Sequence, residues 1–143
     1  MLQDLVKIET SLCSSVEGRL MSDFQLPFGR FQVLQVVARY GSCRVGDIAE
    51  DLGITWGGTS KLVDRLEASS LCRRRPNPDD KRSSLIALTP AGERLLAKAE
   101  NLADEELREI LDPVVTTLVL TQLAAALAEL RAGVDGHLRG QIA

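Results

Sequence analysis

Histidine occurs once in this 143-residue chain, cysteine three times, and aromatic residues make up 3% of it. A lone His137, in a glycine-bearing tail with no companion ligand, excludes a histidine-based metal site and is read as a solvated residue; neither metal nor cofactor is expected. Cys13, Cys43 and Cys72 are odd in number and far apart. They match neither a disulfide framework nor the paired spacings of a zinc site, so reduced thiols are expected. The chain also lacks a nucleophile-and-base pair, a phosphate-cradling glycine loop and a nucleotide fingerprint, which argues against an enzyme. No apolar run approaches the roughly 18 uncharged residues of a membrane span, and Asp4, Lys7 and Glu9 occupy the place where a secretory signal would be apolar. A cytoplasmic protein without a membrane partner is the expectation.

What the chain does have is an ordinary globular balance, 45% hydrophobic and 26% charged, enough for one compact domain or two small lobes. Its net charge of −3 conceals a division along the chain. Between Gly29 and Leu88 ten basic residues (Arg30, Arg39, Arg44, Lys61, Arg65, Arg73, Arg74, Arg75, Lys81, Arg82) face seven acidic ones, a local +3, so the two ends together carry −6. Only the middle suits phosphate.

Apolar residues at Leu2, Leu5, Val6, Leu12, Cys13, Val16 and Leu20 recur at helical spacing and predict a first helix of about 20 residues, ending before Pro27. A second helix fits Phe28 to Tyr40, with Phe31, Leu34, Val37 and Ala38 inward and Gly41 as a left-handed stop. Val45 to Leu52, closed by Gly53, and a helix capped by Thr55 and running to about Ser69 form a helix-turn-helix; Leu62, Leu66 and Val63 are its core candidates. Two short runs, Leu71 to Arg75 and Ser84 to Leu88, flank a cluster of turn formers and charges from Pro76 to Arg82, predicting a hairpin with a protruding loop. Thr89 can cap a helix that begins at Pro90, and Glu93 suits its positive end. That helix runs to about Leu111, and after Asp112-Pro113 a sixth carries Leu118, Leu120, Leu123, Ala124, Leu127 and Leu130, fading after Gly133 and Gly136. Outer helices this apolar exceed what a small head can cover, so a dimer is expected to bury them. The fold class is therefore mainly α with a small β-wing: residues 1–27 as an N-terminal dimerisation helix, 28–89 as a winged helix-turn-helix lobe and 90–143 as C-terminal dimerisation helices.

Three segments, Val45-Gly-Asp-Ile-Ala-Glu-Asp-Leu-Gly-Ile, Lys61-Leu-Val-Asp-Arg-Leu-Glu and Asn77-Pro-Asp-Asp-Lys-Arg running into Leu88-Thr-Pro-Ala-Gly, occur in this order. In them the chain resembles the multiple-antibiotic-resistance regulator (MarR) family of winged helix-turn-helix transcription factors, from the first helix to roughly Leu130. The resemblance implies a homodimer on double-stranded DNA with an inverted repeat, recognition helices in successive major grooves, wings at the flanking minor grooves, and repression as the usual output.

Arg82 resembles the family's wing arginine, at a hairpin tip where a narrow minor groove concentrates negative potential. Asp80 resembles the wing aspartate; a carboxylate aimed at DNA would be repelled, so its expected role is to orient the wing. Lys81, Arg73, Arg74 and Arg75 suit phosphates, although strand alternation prevents the three arginines from facing one way. On the recognition helix the candidates are Thr55, Trp56, Gly57, Thr59, Ser60, Lys61 and Arg65, with Lys61 and Ser60 favoured. Gly57-Gly58 departs from many family members. It reads either as close backbone approach to DNA or as a first turn that tolerates glycine. Trp56 reads either as a DNA contact or as packing beside the helix start.

The signal is less defined. Many family members bind small aromatic or amphipathic acids, and Arg19, Phe28, Arg30 and Phe31 are the candidates to line such a cleft; the same residues also suit core aromatics and paired arginines. Ile8-Glu-Thr-Ser-Leu-Cys resembles the segment bearing the reactive thiol in the hydroperoxide-sensing branch, which makes Cys13 a redox candidate beside the reading of a small apolar residue on the helix stripe. This chain lacks that branch's nearby tyrosines, having only Tyr40. A protein-interaction adaptor built on the winged head is the alternative function.

Overall fold

The computed structural model describes the backbone from Met1 to Ile142 and side chains as far as Val134. Its elements are α1 (Leu2–Phe24), α2 (Phe28–Tyr40), α3 (Val45–Leu52), α4 (Trp56–Ala68), β1 (Cys72–Pro76), β2 (Ser84–Leu88), α5 (Pro90–Leu111) and α6 (Thr117–Ile142). This is the expected mainly helical winged architecture. The chain divides into two compact units, Met1–Glu106 and Leu107–Ala143, with α5 running through the boundary.

The core of the first unit is built on α2, which packs against α1, α3, α4 and β2. Phe31, Val33, Leu34, Val36 and Val37 are all buried. Ala38 is not: the inward stripe stops a turn early, and Ala38, Arg39 and Tyr40 are exposed, while Val33 and Val36 widen the buried face beyond the expected one. Gly41 has the anticipated positive φ of 72°, but with ψ at −43° it is not a left-handed helical residue. Gly53 is one, at φ 64° and ψ 30°, and its conformation lets the chain turn sharply from α3 into α4.

Along α1 only Val16 and Leu20 are buried, whereas Leu2, Leu5, Val6 and Ile8 are exposed. Gln25, in the left-handed region at φ 51°, ends α1; its N–H donates to the Met21 carbonyl and that of Leu26 to the Leu20 carbonyl. In α4 the deepest side chains are Val63 and Leu66, with Leu62 half-buried against Gly29.

The hairpin pairs antiparallel in the register Cys72 with Leu88, Arg74 with Ile86 and Pro76 with Ser84. Its first strand starts one residue later than predicted, because Leu71 is committed elsewhere. Its N–H closes α4 on the Leu66 carbonyl, and its own carbonyl accepts from the Thr89 N–H at 3.0 Å. Cys43 bridges to Ile86 on the other side of β2 and widens the sheet.

Thr89 begins α5 as expected, accepting the Gly92 N–H on its hydroxyl at 3.0 Å; that hydroxyl also donates to the Ser70 carbonyl at 2.6 Å. The packing here explains the glycine. A Cβ on Gly92 would lie 2.0 Å from the Leu71 carbonyl oxygen, closer than any atoms tolerate.

In α5 the expected stripe is seen, with Leu96, Ala99, Leu102 and Ala103 buried. The second unit differs from expectation in two ways. α6 does not fade at Gly133 and Gly136 but continues to Ile142. Its residues Thr117–Val134 are also long and apolar enough, by length and composition, to cross a membrane. The search for an uncharged run overlooked that stretch because it contains Glu129 and Arg131. Leu118, Val119, Leu123, Leu127, Leu130 and Val134 are exposed along it.

Candidate nucleic-acid interface

The start of α4 is fixed by Thr55, whose hydroxyl accepts the Gly58 N–H at 3.1 Å, as its capping role requires. Gly58 is tied to that cap, since a Cβ there would meet the Thr55 hydroxyl at 3.0 Å. Gly57 is under no such constraint: a Cβ would meet nothing within 4 Å. The fold therefore does not demand glycine at Gly57.

Helical spacing sets Thr59, Val63 and Leu66 on the buried side of α4, and Gly57, Lys61 and Asp64 on the opposite side, flanked by Ser60 and Arg65. Thr59 leaves the set of contact candidates. It is 0% exposed, and its hydroxyl donates to the Thr55 carbonyl at 2.9 Å, so it satisfies the helix internally. Periodicity would have revealed this, because Thr59 lies four residues before Val63. Trp56 does not pack beside the helix start; 63% of it is exposed.

Strand alternation sorts the hairpin arginines. Arg73 and Arg75 pair with Ala87 and Leu85 on one face and are exposed, while Arg74 shares the face of buried Cys72, Ile86 and Leu88. Arg74 turns onto α4, forming an ion pair with Asp64 and placing its Nε 3.3 Å from Glu67, whose carboxylate also accepts the Arg74 backbone N–H. It fastens the recognition helix to the wing.

At the wing tip the Asp80 carboxylate accepts the Arg82 backbone N–H at 2.9 Å, and the Asp80 carbonyl accepts from both the N–H and the hydroxyl of Ser83. Asn77 was missed by the sequence reading. It is buried, its amide donates to the Ser83 hydroxyl at 2.9 Å, and its Oδ1 accepts the Asp79 N–H at 3.0 Å. An asparagine before proline and two residues ahead of an aspartate is the signal that marks such a side-chain turn.

The cations of the middle segment thus divide into two groups. Arg39 pairs with Asp51 at 3.0 Å, Arg44 with Asp47 at 3.3 Å, and Arg74 with α4. Asp47 also accepts the Arg44 backbone N–H, a bond that holds its carboxyl below the usual range against the opposing effect of burial, and so fixes the start of α3. By contrast, Lys61, Arg65, Arg73, Arg75, Lys81 and Arg82 are exposed and form no ion pair among the described residues. Their charge is available to an external anion.

The residues considered for signal sensing are dispersed. Arg19 meets Glu106 at 2.8 Å, and Ser15 donates to the same carboxylate. The Ser15 hydroxyl, followed by Arg19, holds Glu106 below its ordinary pKa despite partial desolvation. Phe28 and Phe31 form a tilted pair with ring centres 6.1 Å apart; Phe31 is buried, and the Phe28 N–H donates to Glu17. Arg30 is half-buried and its Nε has no partner among the described residues. The Cys13 thiol donates to Glu9 at 3.5 Å; burial, then the Glu9 hydrogen bond and the charges of Glu9 and Glu17, push its pKa up, away from thiolate. Burial drives Cys43 to about 11 and Cys72 to about 12. The side chain of His137 lies outside the described residues.

Comparison with known proteins gives a consistent result. The MarR family model matches residues 27–84. The uncharacterized HTH-type transcriptional regulator YfiV of Bacillus subtilis is 33% identical over 73 residues, which cover 51% of this chain but only 44% of that protein. The multiple antibiotic resistance protein MarR of Escherichia coli is 26% identical over 104 residues, covering 70% of this chain and 72% of its own. Its apo crystal structure superposes with a TM-score of 0.80 at 22% identity, over 91% of this chain and 96% of that one. Sco3205 of Streptomyces coelicolor, a MarR family transcriptional regulator solved in complex with DNA, superposes at 0.77 and 22% identity, over 92% of this chain and 84% of that one.

Proposed function

Through residues 27–84 the chain belongs to the MarR family, and on that premise we propose that it is a DNA-binding transcriptional regulator acting as a homodimer on an inverted repeat. The observation that carries the reading is the division of the cations. Six exposed, unpaired basic side chains lie on α4 and the hairpin, in a chain that is acidic as a whole. The DNA contacts are assigned to Ser60, Lys61 and Arg65 on α4, with Trp56, Gly57 and the Thr55 cap at its start, and to Arg73, Arg75, Lys81 and Arg82 on the wing, oriented by Asp80.

Residues 1–27 and 90–143 supply the dimerisation helices. Their exposed apolar residues, Leu2, Leu5, Val6 and Ile8 on α1 and Leu118, Leu123 and Leu127 on α6, support a second copy as the cover. Repression of nearby genes, relieved by a small aromatic or amphipathic acid near Arg19, Phe28, Arg30 and Phe31, completes the reading. The half-buried Arg30 beside the Phe28–Phe31 pair supports that site. The raised pKa of Cys13 favours the acid over an oxidant as the signal.

The test is selection from a randomised duplex pool by the full chain, followed by a salt titration. Enrichment of palindromes with half-sites about one helical turn apart, and affinity falling steeply with salt, is the expected outcome. Binding with no preference over random duplex would transfer the winged head to a protein-interaction role. Release of the duplex by peroxide in the parent but not in Cys13→Ser would reinstate the thiol.

A further inference from the structure

Trp56 is the only tryptophan in the chain, and the fold does not use it. With 63% of its surface exposed at the first residue of α4, it stands beside the likewise exposed Ile54, and among the described residues it has no aromatic partner. An indole presents a large apolar surface whose burial is worth far more in an interface than in water. The neighbouring chemistry narrows the occupant. After Trp56 come Gly57, where a Cβ would meet nothing, and one turn later Ser60 and Lys61, with Arg65 beyond. The end of α4 therefore offers an apolar plane bordered by bare backbone, a hydroxyl and cations that suit phosphates.

Base edges in the major groove are almost entirely hydrogen-bonding groups. Their apolar feature is the C5-methyl group of thymine. We infer that Trp56 is a specificity-determining residue, selecting thymine at the base pair that faces the start of α4 by contact of its indole with that methyl group. The inference rests on the DNA-reading function proposed above and assigns it a base.

The probe is the duplex enriched by the full chain, with each thymine replaced singly by uracil, which deletes the methyl group and leaves every hydrogen-bonding atom. One position per half-site is expected at which uracil lowers affinity about fourfold, the worth of burying one methyl group. In Trp56→Ala, thymine and uracil should bind alike at that position, with circular dichroism unchanged; Trp56→Phe, which keeps an aromatic face and loses the indole N–H, should retain the discrimination. Indifference of the parent to uracil at every position overturns the inference while leaving DNA reading intact, as does a Trp56→Ala variant that still discriminates. Loss of discrimination in Trp56→Phe assigns the residue to a phosphate through its N–H and overturns it as well. Failure to enrich any duplex removes DNA reading itself, and the inference with it.

Discussion

α2 and α6 are both rich in aliphatic side chains, yet α2 buries five of them within its own chain while Leu118, Leu123, Leu127 and Leu130 of α6 stand exposed. The difference separates two kinds of helix that look alike in composition. α2 is enclosed by α1, α3, α4 and β2, so the winged lobe has its own core and can devote its surface to charge. α6 has an apolar surface that one copy leaves in water. Hydrophobic patterning specifies that a face exists; it does not specify which molecule covers it.

The sharpest way to break this contrast is at the self-contained end. Gly92→Ala places a methyl group against the Leu71 carbonyl where α4, the hairpin and α5 meet. It should destabilise the protein by about 3 kcal/mol or more, read from urea or thermal unfolding; a change below about 1 kcal/mol would show that the junction yields. At the other end, Leu123→Glu combined with Leu127→Glu should convert a sedimenting dimer to monomer and weaken duplex binding about a hundredfold, because two linked heads become two independent ones. A parent protein that already sediments as a monomer would erase the distinction between the two helices.

Arg82→Ala tests whether the lobe's surface is electrostatic in function. Affinity should fall about tenfold, and the logarithmic salt slope should decrease by about 0.9 for one lost phosphate contact. An unchanged slope removes the wing from the interface. Thr59→Val, isosteric and buried, should cost about 1 kcal/mol of stability with sequence preference unchanged, since its hydroxyl serves Thr55 and not a base.

The smallest effect is one of pH. Because the folded state depresses the Glu106 carboxyl below its ordinary 4.5, its contribution is fully present above that value and is lost as pH falls through the lower folded pKa. Melting of the parent and of Glu106→Gln should therefore differ near pH 7 and converge in acid; a constant gap would place the effect elsewhere.

Much of this arrangement was legible in the chain because its local signals agree. Pro27, Gly41, Gly53, Thr55 and Thr89-Pro90 punctuate the helices, and five of the six boundaries read from them fall within a few residues of the observed ones. Alternation alone foretold that Arg73, Arg74 and Arg75 would not face one way. What escaped detection depends on three-dimensional neighbours. Ala38 continues its stripe but lies past the end of the buried face; Thr59 is polar yet internal; Asn77 is buried by a turn it builds itself. The pairing of Arg74 with Asp64 and Glu67 spans up to ten positions and leaves no periodic trace.

The junction at Thr89 has a mechanical corollary. Its hydroxyl and N–H grip the Ser70 and Leu71 carbonyls, so the exit of α4 and the entry of α5 share one fulcrum. Glu106, gripped by Arg19 and Ser15, lies about 25 Å along α5 from that fulcrum at 1.5 Å per residue, so that a tilt of about 2° at one end is a travel of about 1 Å at the other. Leverage of that kind means that a slight repositioning of α1 against α5 is enough to re-aim the helix that begins at Trp56.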